Sequence, residues 1–296
     1  MFACIKRNYS SVKKLINSGS DVNIQDNKGK TSLMLAYKKH NYDIIDILID
    51  GLPRLSIRFL TSLPSRIPEN AGIYTAMMGT IWVFVLTAVI AFPLGVASGI
   101  YLEEYGRKNR FSKLLEINIA NLAGVPSIIY GLLGLEIFVR IFRFGNSILA
   151  GSLTLALLIL PIIIVSTREA IKAVPQGLRD ASYAMGATKW QTIWYQVLPA
   201  SFGGILTGVI LALSRAIGEA APLIVVGALA YVPFAPKSPM DIFSVLPIQI
   251  FNWISRPQKG FIQNAAAAII ILLIITFLLN GIAMYLRNRW QRKMKM

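Results

Sequence analysis

Residues 169–222 read EAIKAVPQGLRDASYAMGATKWQTIWYQVLPASFGGILTGVILALSRAIGEAAP. Two kinds of sequence meet in this stretch. The first part is polar and basic. The second is an apolar run of helix length with two opposite charges, Arg215 and Glu219. A guanidinium inside an apolar span costs about 2.5–3.5 kcal/mol on insertion scales, so such a residue is seldom idle. Glu219 follows Arg215 by one helical turn, which puts the pair on one face.

The rest of the composition agrees with a membrane reading. The chain has 296 residues, 55% of them apolar, and a mean hydropathy of +0.58. Soluble domains sit nearer about 45–50% apolar. The apolar excess is gathered into long runs, which is the signature of membrane spans. The net charge of +16 would suggest nucleic acid in a soluble protein. Here Lys and Arg lie between and beside the apolar runs, so the positive-inside rule accounts for them and no nucleic-acid partner is implied.

Cys4 and His40 are the sole residues of their kinds. A disulfide framework, a Cys/His metal site and Cys–His catalysis therefore lack their parts. Gly29-Lys30-Thr31 looks like the tail of a phosphate-binding loop, but the required earlier glycine is Ile24. No cofactor and no enzymatic activity of the chain's own are expected. Residues 1–20 carry no apolar core of a signal peptide.

The chain divides into three parts. Residues 1–51 contain DVNIQDNKGKTSLMLAYKKHNYDIIDILIDG, which resembles an ankyrin repeat. Gly29, Thr31, Leu33 and Ala36 fall where that family places its turn and first helix, with Ser32 and Met34 in place of Pro and His. About one and a half repeats are visible, and roughly three are needed for independent stability. The segment is either a protein-binding arm or a weakly folded remnant of a fusion. Residues 52–73 read as a linker, with a short interfacial helix over 52–63 placing Arg54 and Arg58 at lipid headgroups.

Residues 74–296 carry about five expected spans. The first covers 74–101, with Gly95 and Gly99 spaced for close helix contact. The second covers 114–143 and is broken near Gly124-Val125-Pro126. The third is 146–167, the fourth 202–230, with Gly204 and Gly208 again spaced for packing, and the last 262–286. Basic segments at 103–113, 168–199 and 287–296 must then share one side, the cytoplasmic one. An odd number of spans puts residues 1–73 outside; the alternative keeps them cytoplasmic, with 52–73 on the inner surface and the next span inserted abnormally. Residues 231–260 form an extracytoplasmic hairpin, with Phe251 and Trp253 as candidate interface anchors. Arg168 and Glu169 are expected to be solvated at the membrane mouth. Thr207 and Ser214 are expected to bond back to their own helix.

Between Asp180 and Pro199 the sequence DASYAMG-x9-QVLP resembles the EAAxxxG-x9-IxLP signature of ABC importer permeases. Such a permease has no ATPase, so a short cytoplasmic helix must receive force from one. Ala181 and Ser182 are small enough for that helix to seat in a groove. Gly186 permits a sharp exit turn, and Leu198-Pro199 marks the start of the next span. Asp180, Ser182 and Gln196 depart mildly from the signature.

A longer resemblance covers residues 55–293. IYLEEYGRKNR, NIANLAGVPSIIYGLLGLEIFV, ILTGVILALSRAIGEAAPLI and LPIQIFNWISRPQ are similar to the phosphate ABC transporter permeases of the PstA type. The resemblance implies an all-α membrane protein with the type I ABC importer permease fold, in a bacterial plasma (inner) membrane with its C-terminus cytoplasmic. It also implies a second permease of the PstC type, ATPase subunits of the PstB type, an extracytoplasmic phosphate-binding protein and a membrane lipid surround. Arg215, with Glu219, would line the path of inorganic phosphate. A planar guanidinium donates two parallel hydrogen bonds to such an anion. Two other readings stay open: a permease for another oxyanion such as sulfate or molybdate, and a non-transporting membrane-tethered ankyrin adaptor derived from a permease.

Overall fold

A computed structural model describes residues 51–106, 109–229 and 231–294. The ankyrin-like segment read over residues 1–51 lies outside them except for Gly51. Among the described residues the chain is helical, and one isolated antiparallel bridge joins Ser147 to Ile242. Helix α1 (Ile57–Thr61) lies between 3-10 turns at Leu52–Arg54 and Pro68–Asn70. It is followed by α2 (Tyr74–Ile100), α3 (Arg110–Leu122), α4 (Ser127–Gly134) and α5 (Ile148–Lys172). Two short helices, α6 (Gln176–Ala184) and α7 (Lys189–Thr192), lead into α8 (Leu198–Gly218). Then come α9 (Ala221–Val226), α10 (Leu246–Ile254) and α11 (Lys259–Met294).

Four helices are long and apolar enough to cross a membrane, and the α3–α4 pair, bent by 101°, makes a fifth crossing if taken together. The packing decides that it must be taken together. Gly95 and Gly99 of α2 lie against Ile163 and Thr167 of α5, at one constant offset along the two helices. Thus α2 and α5 run parallel, and the chain between them has to return across the bundle. The bend follows from Pro126, which leaves α4 without a preceding turn to join. Tyr130 closes the corner by donating its hydroxyl hydrogen to the Leu122 carbonyl at 2.8 Å.

Helix α8 packs antiparallel on α5, with Gly204 against Ala170 and Gly208 against Ser166. A Cβ on Gly208 would meet Ser166 Oγ at 2.1 Å. Both expected glycine pairs therefore serve close helix contact, and both face α5. That helix is the centre of the fold: 61% of its apolar window is buried, against 11% for α11. Ala156, Ile159 and Ile163 of α5 form one core with Ala91 of α2, Tyr130 of α4 and Ile205, Val209 and Ala212 of α8. Helix α11 lies antiparallel on α8 and is tied to it by polar contacts. Ser214 donates to Asn280 Oδ1 at 2.5 Å, and Arg287 Nη1 donates to Thr207 Oγ1 at 3.0 Å.

At one end of the bundle, 51–73 and 231–260 pack on the starts of α2 and α11. Gly51 touches Ala266, Arg54 donates to Gln263 Oε1 at 3.3 Å, and Asn264 donates to the Pro68 carbonyl at 2.8 Å. The expected interfacial helix over 52–63 is instead broken, because Ser56 caps a new helix by accepting from Phe59 N–H. Arg54 and Arg58 bond to protein, Arg58 to Asn70 Oδ1 at 3.1 Å. Trp253 is not an interface anchor. It is 1% exposed, between Phe59 and Phe261, because α10 turns it inward onto α1. Phe251, on the other face of α10, is exposed as expected.

Candidate functional site

Opposite that end, α6 and α7 hang from the bundle as a helical hairpin. Helix α6 begins after Pro175 and ends at Ala184, with Met185 as its C-cap. Gly186 then reverses the chain with φ +83°, a conformation that glycine adopts at no steric cost. Thr188 and Gln191 form a reciprocal capping box at the start of α7. The hydroxyls of Ser182 and Thr192 lie 3.0 Å apart and hold the two short helices together. Asp180 and Ala181 are exposed on α6. Asp180 accepts from Gln176 Nε2 at 3.2 Å.

The helix that crosses next does not start at Pro199 or at 202. It runs from Lys189 to Gly218, with a π turn at Ile193–Val197 just ahead of Leu198-Pro199. Proline removes a backbone donor and crowds the preceding turn, and the widened π turn accommodates both. The same helix stops early. Pro222 crowds the carbonyl four residues back, which belongs to Gly218, the last residue of α8. The span expected over 202–230 is therefore two helices, α8 and α9, separated at Glu219-Ala220.

Arg215 lies in the last turn of α8 and Glu219 at its C-cap. Arg215 Nε donates to Glu219 Oε1 at 3.3 Å. The side chains are 41% and 21% exposed, so the guanidinium keeps free donors on an open face. Leu211, one turn earlier, is exposed on the same side. With Gly208 opposite Ser166 in an antiparallel pair, Arg215 stands level with about Ile159, midway along α5. Irregular backbone at membrane depth is tolerated where it lines a cavity or is buried in protein. A cation in a helix's last turn also meets the negative end of the helix dipole. Ser214 and Thr207 bond back to the carbonyls of Ile210 and Gly203, at 2.7 and 2.8 Å, as expected.

The sequence reading misplaced Arg168. It is 9% exposed, not solvated. Its guanidinium bonds Glu103 at 3.2 Å and Glu116 at 3.0 Å, because the π turn Tyr101–Tyr105 that follows α2 and helix α3 both bring a carboxylate to its level on α5. Lys172 extends the network to Glu116 and to Glu169, whose side chain is exposed as expected. A cavity of about 790 Å³ opens between α3 and α5, lined by Glu103, Glu116, Arg168 and Lys172 with Arg110 and Lys113.

Arg179 was not singled out from sequence at all. It is 9% exposed and donates to Glu104 Oε1 from Nε at 3.3 Å and from Nη2 at 3.0 Å. The same guanidinium donates to the carbonyls of Ile171 and Val174 at 3.0 and 2.7 Å. The available signal was the EEY triplet at 103–105, two adjacent acids ahead of a strongly basic loop.

Residues 91–295 match the family model for the binding-protein-dependent transport system inner membrane component. Residues 1–62 match the model for ankyrin repeats (3 copies). Among curated proteins, the phosphate transport system permease protein PstA of Haemophilus influenzae is 34% identical over 235 residues, covering 78% of this chain and 82% of its own. PstA 1 of Mycobacterium tuberculosis is 34% identical over 221 residues, covering 72% and 71%. The probable ABC transporter permease protein YqgI of Bacillus subtilis is 32% identical over 245 residues, covering 78% and 83%. Two solved folds agree. The inward facing MetNI methionine ABC transporter aligns with a TM-score of 0.57 at 19% identity, over 74% of this chain and 94% of that one. A bacterial ABC transporter for import of the acidic polysaccharide alginate aligns with a TM-score of 0.62 at 14% identity, over 97% and 98%.

Proposed function

The chain belongs to the binding-protein-dependent transport system inner membrane component family, an ABC importer permease of the inner membrane, and we propose that it carries inorganic phosphate. Permeases of this family work with ATPase and substrate-binding partners. In our reading those partners are PstB-type ATPase subunits, an extracytoplasmic phosphate-binding protein and a PstC-type permease that completes the other half of the pathway. ATP is hydrolysed on the ATPase subunits.

The observation that carries the reading is the Arg215–Glu219 pair. It stands at a helix break midway along the span, with one hydrogen bond between the partners among the described residues and an open side. A guanidinium in that state can exchange Glu219 for a tetrahedral oxyanion and then take Glu219 back. Binding stays weak enough to release the anion, which a transport path requires. The PstA relatives favour phosphate among oxyanions.

The exposed face of α6, with Asp180 and Ala181, is where the ATPase docks in this reading, and Ser182, Gly186, Leu198 and Pro199 shape the hairpin behind it. Closure of the ATPase dimer would push α6 and rock the two permeases between outward- and inward-open states. Arg110, Lys113, Lys172, Lys189 and Arg287 gather at the α6 end, which favours that end, with the C-terminus, as cytoplasmic. Residue 51 then lies at the outer end, since Gly51 packs on Ala266. A reporter fused at the N-terminus tests this: activity on the cytoplasmic side sinks the orientation.

The decisive assay is uptake in cells co-expressing the four kinds of subunit. Radiolabelled phosphate should accumulate, and excess sulfate or molybdate should not compete. Arg215→Gln should insert normally and lose uptake. Normal uptake by that variant defeats the path assignment, and competition by sulfate or molybdate defeats the substrate.

A further inference from the structure

We propose that the turn carrying Glu103 and Glu104 is the joint through which the α6–α7 hairpin moves α2, with Glu104 and Arg179 as its positioning residues. The proposal rests on the reading of the chain as an ATP-driven permease. The hairpin is covalently continuous with α5 on one side and α8 on the other. It has no such link to α2, although α2 packs along the length of α5.

The non-covalent link is built from two groups of the hairpin. Arg179, on α6, makes four hydrogen bonds: two to Glu104 and two to the carbonyls that end α5. It therefore fastens α6 to the ends of α2 and α5 at once. Lys189, the first residue of α7, donates to the Glu104 backbone carbonyl, and its ammonium stands 4.8 Å from the centre of the Tyr105 ring. Glu103, the neighbouring acid, turns to Arg168 on α5. The α6 and α7 helices are held to each other by Ser182 and Thr192.

Two features make this a joint and not a loose surface bridge. The Arg179 and Glu104 side chains are 11% and 9% exposed. Pulling one away leaves a buried charge unpaired, which is strongly unfavourable, so displacement of α6 carries Glu104 along. The turn itself, Tyr101–Tyr105, is a π turn, a local widening found frequently at functional sites. Arg179 also directly precedes Asp180, which is exposed. A push received at Asp180 and Ala181 is thus passed one residue along the chain to α2.

The test uses the assembled complex with ATPase, second permease and binding protein. Spin labels go on Met185→Cys at the end of α6 and Leu94→Cys on α2, which are 88% and 54% exposed, in a Cys4→Ser background. With the joint intact, the label separation should be the same with and without bound ATP. In Glu104→Gln it should change by several ångström on ATP binding. Phosphate uptake per ATP hydrolysed should fall about tenfold. Glu104→Asp should recover part of both readouts, and Arg179→Lys, which keeps the charge but loses the paired donation to Glu104, takes the place of the Gln variant if that one fails to assemble. A label separation that shifts with ATP in the parent overturns the proposal. So does unchanged uptake per ATP in the variant, or uptake and hydrolysis falling in proportion. If the parent hydrolyses ATP without taking up phosphate, the substrate reading has failed, and the label distances still decide the joint.

Discussion

Arg179 and Arg215 are the same residue type on consecutive stretches of one chain, and the fold treats them in opposite ways. Arg179 is buried, with four hydrogen bonds to a carboxylate and two helix-end carbonyls. Arg215 is half exposed, with a single 3.3 Å bond to a carboxylate four residues away. A saturated buried guanidinium fixes geometry, because any departure leaves charges unpaired. A partly exposed one with spare donors can change partners at little cost. One end of the molecule therefore holds its arginine in fixed contacts, and the middle leaves its arginine with spare donors, as the proposed exchange of Glu219 for an anion requires.

The contrast can be broken by substitution. Arg179→Ala should be the most damaging to stability, by about 3–5 kcal/mol, since it strands the buried Glu104 carboxylate. Thermal unfolding of the detergent-purified complex measures this, and a loss below about 1 kcal/mol would show that the site is solvated. Arg215→Gln should cost only about 0–1 kcal/mol by the same measurement. Its phosphate uptake should nevertheless drop by at least about tenfold, an increment of roughly 1.4 kcal/mol in the barrier.

Smaller effects sharpen the picture. Ser214→Ala removes the clasp to Asn280 beside Arg215, and interhelical hydrogen bonds in membranes average about 0.6 kcal/mol. A modest fall in stability with near-normal uptake is expected, so a large uptake defect would move Ser214 into the path. The smallest effect is a pH dependence in the loop outside the spans. Asp241 accepts from the backbone N–H groups of Lys237 and Ser238 at 2.8 and 2.9 Å, which hold its carboxyl below the usual carboxylate range. Its contribution is present above the ordinary aspartate range and is lost as pH falls through the depressed value. Protection of the Lys237 and Ser238 amides from hydrogen exchange, taken relative to the intrinsic rate at each pH, should therefore fall on acidification, and Asp241→Asn should remove that dependence.

Much of the architecture was legible in advance, for reasons tied to particular residues. Gly95 and Gly99, or Gly204 and Gly208, announce close helix contact by spacing alone, though their shared partner, α5, appears only in the packed bundle. Gly186 announced its reversal. The break at Pro126 was visible, because proline acts locally. The termination of α8 at Gly218 was missed. Pro222 lay inside a continuous apolar run, and Pro93 and Pro161 sit within helices that continue past them. Trp253 was misread because an aromatic in a segment between spans has the same sequence signature whether it faces lipid or Phe59.

By itself, the sequence determined what depends on local chemistry and long apolar runs. That includes the membrane class, the four unbroken apolar spans, the short helix that turns at Gly186 and the presence of an Arg–Glu pair one turn apart. Tertiary structure alone decided which charges are buried. Arg168 and Arg179 meet Glu103, Glu116 and Glu104 across more than 50 residues of chain. Burial is a property of what packs around a group, and no short window of sequence contains the partners. For the same reason the parallel packing of α2 on α5 was needed to show that the bent pair between them is a crossing.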